Sequence, residues 1–323
     1  MDIFALHKEL AAVFGPSGME ADIALAVKER LAGAADEVTT DTLGNLTARI
    51  RGKGKKVMFS AHMDTFGLIV TYIDKDGFAR FATLGGAEPD YLLGARVVFA
   101  DGTRAAVCAD GSYNRKEPRL TDMYIDTGAN AQSVKVGDAA VYGGEAVTQG
   151  GALISPHIDN RACCAALIAA SRAVARPKND LYFVFTAQAE LGMRGAKTAA
   201  YALEPDVAFS VDVTDAGDTP GCKPKTQVKL GGGAAVKLMD DSVICHPDAV
   251  AYLVSQAEKL GIAAQRELLA GKGTDAGAIH VSRAGVPTGG ISLPARHIHS
   301  PNEICRISDI EDCVRLIIAA ADI

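Results

Sequence analysis

Apolar residues recur at helical spacing from Ile3 to Phe14 and again from about Glu20 to Ala32, with Gly15-Pro16-Ser17-Gly18 between them. Glu37 to Ile50 instead alternates, is rich in β-branched residues, and carries Leu43-Gly44-Asn45 at its middle, which predicts a hairpin. Val57-Met58-Phe59-Ser60-Ala61 is a short buried-type strand that delivers His62-Met63-Asp64 at its end. From about Leu68 to Thr148 the texture changes to short strands broken by Gly and Asp, with few helix-period runs. That pattern predicts a small β-barrel or sandwich.

After Ser155 helices and strands alternate. Helices are expected over Asn160–Val174, Gly195–Leu203, Pro247–Leu260, Thr274–Arg283 and Ser308–Ala321, and strands over Asp180–Thr186, Val207–Val213 and Gly289–Leu293. The fold class that follows is α/β, a mostly parallel central sheet with helices on both faces. An all-β domain interrupts it. The expected division is 1–67 with 149–323 for the α/β domain and 68–148 for the insert.

Composition narrows the function. Across 323 residues, Lys plus Arg total 33 and Asp plus Glu 39, a formal charge of −6, which disfavours a nucleic-acid partner. Hydrophobic residues at 48% allow a substantial core and exclude wholesale disorder. Trp is absent and aromatics are 6%, which weighs against a carbohydrate-stacking platform. The seven cysteines contain no C-x-x-C pair and read as free thiols. The N-terminus lacks the basic and apolar regions of a signal peptide, and no apolar run approaches membrane-spanning length. A cytoplasmic protein with no membrane partner is expected.

In a parallel sheet, ligands bind beyond the carboxyl ends of the strands. The polar residues falling there are His62, Asp64, Asp159, Asn160, Arg161, Glu190, Asp212, His297 and His299. Imidazoles with carboxylates and no thiol suit Zn²⁺, Co²⁺ or Mn²⁺. Each residue also has a plain structural use. A strand-end His is commonly just hydrogen-bonded, Asp159 could cap the helix that follows it, and Asp64 could orient His62 from behind. Asp212, inside an apolar strand, needs a partner for its charge.

Six ordered blocks give the pattern a family. They are Ala61-His62-Met63-Asp64, Asp159-Asn160-Arg161, Gly192-Met193-Arg194-Gly195-Ala196, Val211-Asp212-Val213-Thr214, Gly273-Thr274-Asp275-Ala276 and Arg296-His297-Ile298-His299-Ser300-Pro301. Over nearly its full length the chain resembles the cocatalytic metallo-aminopeptidases of the glutamyl and tetrahedral aminopeptidase type, some of which carry endoglucanase labels. The resemblance implies two divalent ions per chain, Zn²⁺ or Co²⁺, with Mn²⁺ also acceptable. His62 and Asp212 would bind one, Glu190 and His299 the other, and Asp159 would bridge them, with Asp64 supporting His62. Such ions polarise a scissile carbonyl and activate water, releasing N-terminal residues from peptide substrates. The β-rich insert would be a dimerisation domain, the dimers assembling into a homo-oligomer, commonly of twelve subunits.

Two positions depart from the family. Where it carries consecutive glutamates, the first a general base, this chain has Gln188-Ala189-Glu190, so the base is missing while the second glutamate remains. Loss of a general base costs roughly 10²–10⁴ in rate. An impaired aminopeptidase is expected, with a catalytically silent metal- and peptide-binding homologue as the alternative. His157 or His297 are candidate replacements for the base, His297 standing where the family has tyrosine. Lys272 replaces a glycine, and could either favour an acidic substrate side chain or be a solvated loop residue. A glycosidase is disfavoured, because the carboxylates are better used as ligands beside the histidines.

Overall fold

The computed structural model describes residues 1–128, 133–222 and 226–323. At its centre lie four parallel strands in the spatial order Asp180–Thr186, Lys56–His62, Val207–Asp215 and Thr288–Arg296. All four strands are buried nearly throughout because both faces of the sheet are covered. Phe59 stacks on Phe183 and Phe209, with ring centroids 5.4 and 5.5 Å apart, on one face. The alternate residues Met58, Val184 and Ala208 pack on the other face against the helix Arg194–Leu203. The helices Ile3–Ala11, Ile158–Ala173 and Ile307–Ala320 cover the phenylalanine side.

Antiparallel strands extend this core to eleven. The predicted hairpin forms as Glu37–Thr40 paired with Leu46–Ile50, next to Asp180–Thr186. On the opposite side lie Glu303–Arg306, Ala152–Ser155 and Val147–Gln149. A further parallel pair, Ala234–Met239 and Ala264–Leu268, attaches to Thr288–Arg296. Sequence periodicity misses this pair, since Lys237 and Glu267 interrupt its apolar pattern. Both charges are buried, with Lys237 Nζ paired to Glu267 Oε1 and lying 3.4 Å from Asp240 Oδ2.

Six strands between Gly67 and Tyr142 close into a barrel with its own core, including Phe66, Leu68, Val97 and Ile125. The β-rich texture therefore resolves as a barrel and not a sandwich. The helix expected over Thr274–Arg283 is shorter, Asp275–His280. Ser282 N–H turns back to Ile279 O at 2.9 Å, and Arg283 has φ +55°, which ends the helix before Pro287. The first helix likewise stops at Ala11. Among the described residues no helix is long and apolar enough to cross a membrane.

Candidate metal centre

The parallel register places the carboxyl ends of the four strands together. Thr186 lies opposite His62, and Asp212 sits near the end of the next strand. The Asp159 segment is tied to that strand by Asn160 Nδ2, which donates to Val211 O at 3.0 Å. Five of the candidate side chains converge here in two groups that share one member. His62, Asp159 and Asp212 form the first group, and Asp159, Glu190 and His299 the second. His62 Nε2 lies 3.1 Å from Asp159 Oδ1 and 3.6 Å from Asp212 Oδ1. His299 Nε2 lies 3.1 Å from Asp159 Oδ2 and 3.3 Å from Glu190 Oε1.

The donor chemistry fits two divalent cations. With neutral imidazoles the cluster carries three negative charges, and no Lys or Arg ion-pairs with it among the described residues. Uncompensated buried carboxylates are costly, and cations at these positions would remove that cost. The same imbalance shows in the protonation equilibria. Burial opposes a charged His299, yet Glu190 and Asp159 push its pKa up to about 11. His62 is likewise held well above its usual value by Asp212 and Asp159, against its own desolvation. Burial works to raise Asp159 too, but His299 and His62 outweigh it and hold that carboxyl far below its ordinary range.

Around this cluster other side chains fix the backbone. His62 Nδ1 faces the main-chain carbonyl of Asp64 at 3.1 Å, with the Asp64 carboxylate further away at 3.5 Å. That carboxylate accepts instead from Ser17 Oγ at 2.6 Å, Ala189 N–H at 3.0 Å and Glu190 N–H at 3.1 Å. Glu20 accepts from Gln188 N–H and Asn45 from Ala187 N–H, each at 2.9 Å. Four successive amides of the 187–190 turn are thus held by side chains. Sequence reasoning missed Glu20, Asn45 and Glu303 as site residues. Their only signal was a polar residue beside an apolar neighbour, and apart from His299, four residues from Glu303, the partners at the site lie far away in sequence.

A cavity of about 560 Å³ opens onto the cluster and is also lined by Ala189, Lys272 and Asp275. Gly85 and Gly86, from the barrel, lie against the cluster. A Cβ on Gly85 would lie 2.8 Å from Glu190 Oε2, and its φ of +102° also favours glycine. Lys272 Nζ pairs with Asp215 at 3.0 Å, both side chains partly exposed. Neither histidine considered as a replacement base lines the cavity. His297 is exposed, and His157 is buried with Nε2 against Tyr142 O at 3.0 Å, its pKa pushed down to about 3 chiefly by burial.

The sequence profile described as M42 glutamyl aminopeptidase matches residues 44–316. The chain belongs to that family. It is 44% identical over 325 residues to a protein of Acetivibrio thermocellus named as an aminopeptidase, covering 99% of this chain and 98% of that one. It is 32% identical over 330 residues to the lysyl aminopeptidase of Pyrococcus furiosus, covering 96% and 94%. Among solved structures, the TET1 peptidase of Pyrococcus horikoshii superposes with a TM-score of 0.89 at 31% identity, covering 99% of both chains. That peptidase can assemble into a tetrahedron or a large octahedral shell. Within this M42 chain the cavity presents a methyl group at Ala189, one residue before Glu190.

Proposed function

We propose that this M42 chain is a two-metal aminopeptidase that releases N-terminal residues from peptides, with turnover held down by Ala189. The observation that carries the reading is the pair of donor groups sharing Asp159 at the floor of the cavity. His62 and Asp212 would hold one ion, Glu190 and His299 the other, and Asp159 would bridge. Zn²⁺ or Co²⁺ suits this N/O donor set, and Mn²⁺ is compatible with it. When bound, such ions supply Lewis acidity toward a peptide carbonyl and toward water. The chain's own residues orient the donors and enclose the scissile bond. A methyl group at residue 189 can neither take nor return a proton, so the acid–base part of the reaction has no protein group at that position.

The same alanine favours a second reading, a homologue that binds metal and peptide without turnover. One experiment separates the two. Amino-acid release from a mixed peptide panel is compared for the natural chain and Ala189→Glu, each loaded with Zn²⁺ or Co²⁺. A gain of roughly 10²–10⁴ in the variant supports the impaired enzyme. Two silent, metal-loaded proteins support the binding subunit, and equal turnover in both overturns the assignment of Ala189.

For the whole molecule, residues 1–67 and 149–323 would form the catalytic domain and 68–148 a dimerisation domain. The six-stranded barrel supports that division. Dimers would assemble further into a dodecamer in the cytoplasm, consistent with the shells formed by the TET1 relative. A light-scattering mass of a monomer would refute the assembly.

A further inference from the structure

Glu303 lies outside both donor groups, yet it touches the main chain of two of their members. It opens the strand Glu303–Arg306 and is buried, pinned against Ser155 in the antiparallel register. Its Oε2 accepts the Asp159 N–H and its Oε1 accepts the His299 N–H, each at 2.8 Å. One carboxylate therefore spans the segment carrying the shared donor and the segment carrying the last histidine.

Neither segment would hold its shape unaided. His299 has φ +65° and His157, two residues before Asp159, has φ +64°, conformations that non-glycine residues adopt only when their surroundings impose them. The other fixed point of the His299 main chain comes from the barrel, where Tyr142 donates its hydroxyl to His299 O at 3.2 Å. Asp159 is further tied by its neighbour Asn160, which donates to Val211 O. Glu303 connects the main chains of the two segments to each other, through two hydrogen bonds from backbone N–H groups to its carboxylate.

We infer that Glu303 is a positioning residue that sets the separation of Asp159 from His299 and so prepares the second cation site. The inference rests on the two-metal reading above. Its consequence is asymmetric. The group formed by Asp159, Glu190 and His299 has two members held by Glu303, whereas the group formed by His62, Asp159 and Asp212 has one. Removing the carboxylate should weaken the second site more than the first. Groups behind metal ligands typically contribute about 10–100-fold to metal affinity.

Glu303→Gln is nearly isosteric but offers a single acceptor oxygen, and its NH₂ would face an N–H. Glu303→Asp keeps both oxygens on a shorter stem. Stepwise calorimetric titration of the metal-free chain with Zn²⁺, and separately with Co²⁺, reads each binding event. In Glu303→Gln the event that Glu190→Ala abolishes should lose roughly 10–100-fold in affinity while the other changes much less, with partial recovery in Glu303→Asp. Equal weakening of both events, or none, overturns the positioning role while leaving the two-metal reading intact. A natural chain that binds no ion overturns the two-metal reading itself. Should Glu303→Gln lose its native near-ultraviolet circular dichroism, Glu303→Asp carries the comparison. Unfolding of both variants would make Glu303 a general folding determinant and overturn the inference.

Discussion

The carboxylate of Asp64 accepts the backbone N–H of Ala189 at 3.0 Å, so the residue expected to stand behind His62 also holds the turn that carries Ala189 and Glu190. The second oxygen takes the Glu190 N–H and the Ser17 hydroxyl. The turn is therefore built to aim side chains 189 and 190 whichever residue occupies position 189. This is why Ala189→Glu is expected to regain turnover without remodelling its surroundings.

Asp64→Asn should disturb that turn. The replacement keeps one acceptor oxygen and turns an NH₂ toward donors, leaving a buried N–H unpaired. Such a group costs about 1–3 kcal/mol, so urea unfolding of the metal-free variant should show a loss of that order. In an Ala189→Glu background the same change should also lower kcat, because the restored base and Glu190 would no longer be held in place. An unchanged unfolding midpoint would show that Asp64 does not bear on the turn.

The two donor groups make a prediction about stoichiometry. Asp159 belongs to both, while Asp212 belongs to one and Glu190 to the other. Atomic spectroscopy after loading and desalting should find about two ions per natural chain and about one in Asp212→Ala or Glu190→Ala. Asp159→Ala should retain fewer than either. Equal retention in all three variants would mean that the groups do not act as two sites with a shared ligand.

Much of this site could be read from the chain because its chemistry stands at strand ends. Apolar runs located the parallel strands, and the polar residues just beyond them, from His62 to His299, were the exceptions to an otherwise buried pattern. The three-dimensional spacing of the donors was not readable, nor was the part played by Glu20, Asn45 and Glu303. Each binds a backbone amide more than a hundred residues away, Glu303 in addition to the nearby His299 N–H, and no local periodicity encodes such a long-range contact. Lys237 and Glu267 hid two strands for a related reason. Each charge looks exposed in isolation and becomes a core residue only beside the other.

Lys272 gives a prediction about specificity with a definite sign. Its ammonium is paired with Asp215 beside the cavity, so it is not a free cation awaiting an acidic substrate. A partly exposed pair of this kind contributes only about 0–1 kcal/mol to stability. Asp215→Asn should release Lys272 and raise the kcat/KM ratio for glutamyl over leucyl peptides. Lys272→Ala should uncover Asp215 and move preference toward lysyl peptides. With kinetics measured in the Ala189→Glu background, each shift should be about tenfold or more, since a hydrogen bond to a charged group is worth about 1.5–3 kcal/mol. Profiles unaffected by either change would place the substrate side chain elsewhere in the cavity.

Part of the acid sensitivity of the fold should be traceable to His7, alongside the equally buried His157. This residue is fully buried in the first helix, with Nε2 3.0 Å from Ser155 Oγ. The Ser155 hydroxyl donates to Pro156 O, so its remaining role toward His7 is as acceptor, and the imidazole carries its proton on Nε2. Burial, with the charges of His157 and Arg161 adding to it, pushes the His7 pKa from 6.5 down to about 3. In the unfolded chain the ring takes up a proton near pH 6.5, whereas in the folded chain it stays neutral. The unfolded state therefore binds more protons between those values, and stability is full above pH 6.5 and falls as pH drops toward 3. At pH 5 the gap from 6.5 corresponds to roughly 2 kcal/mol lost through this one side chain. His7→Gln keeps a donor for Ser155 and cannot titrate. Its unfolding free energy should fall between pH 7 and pH 5 by about 2 kcal/mol less than that of the natural chain, measured on metal-free protein. Parallel pH profiles for the two proteins would show that His7 does not carry this acid sensitivity.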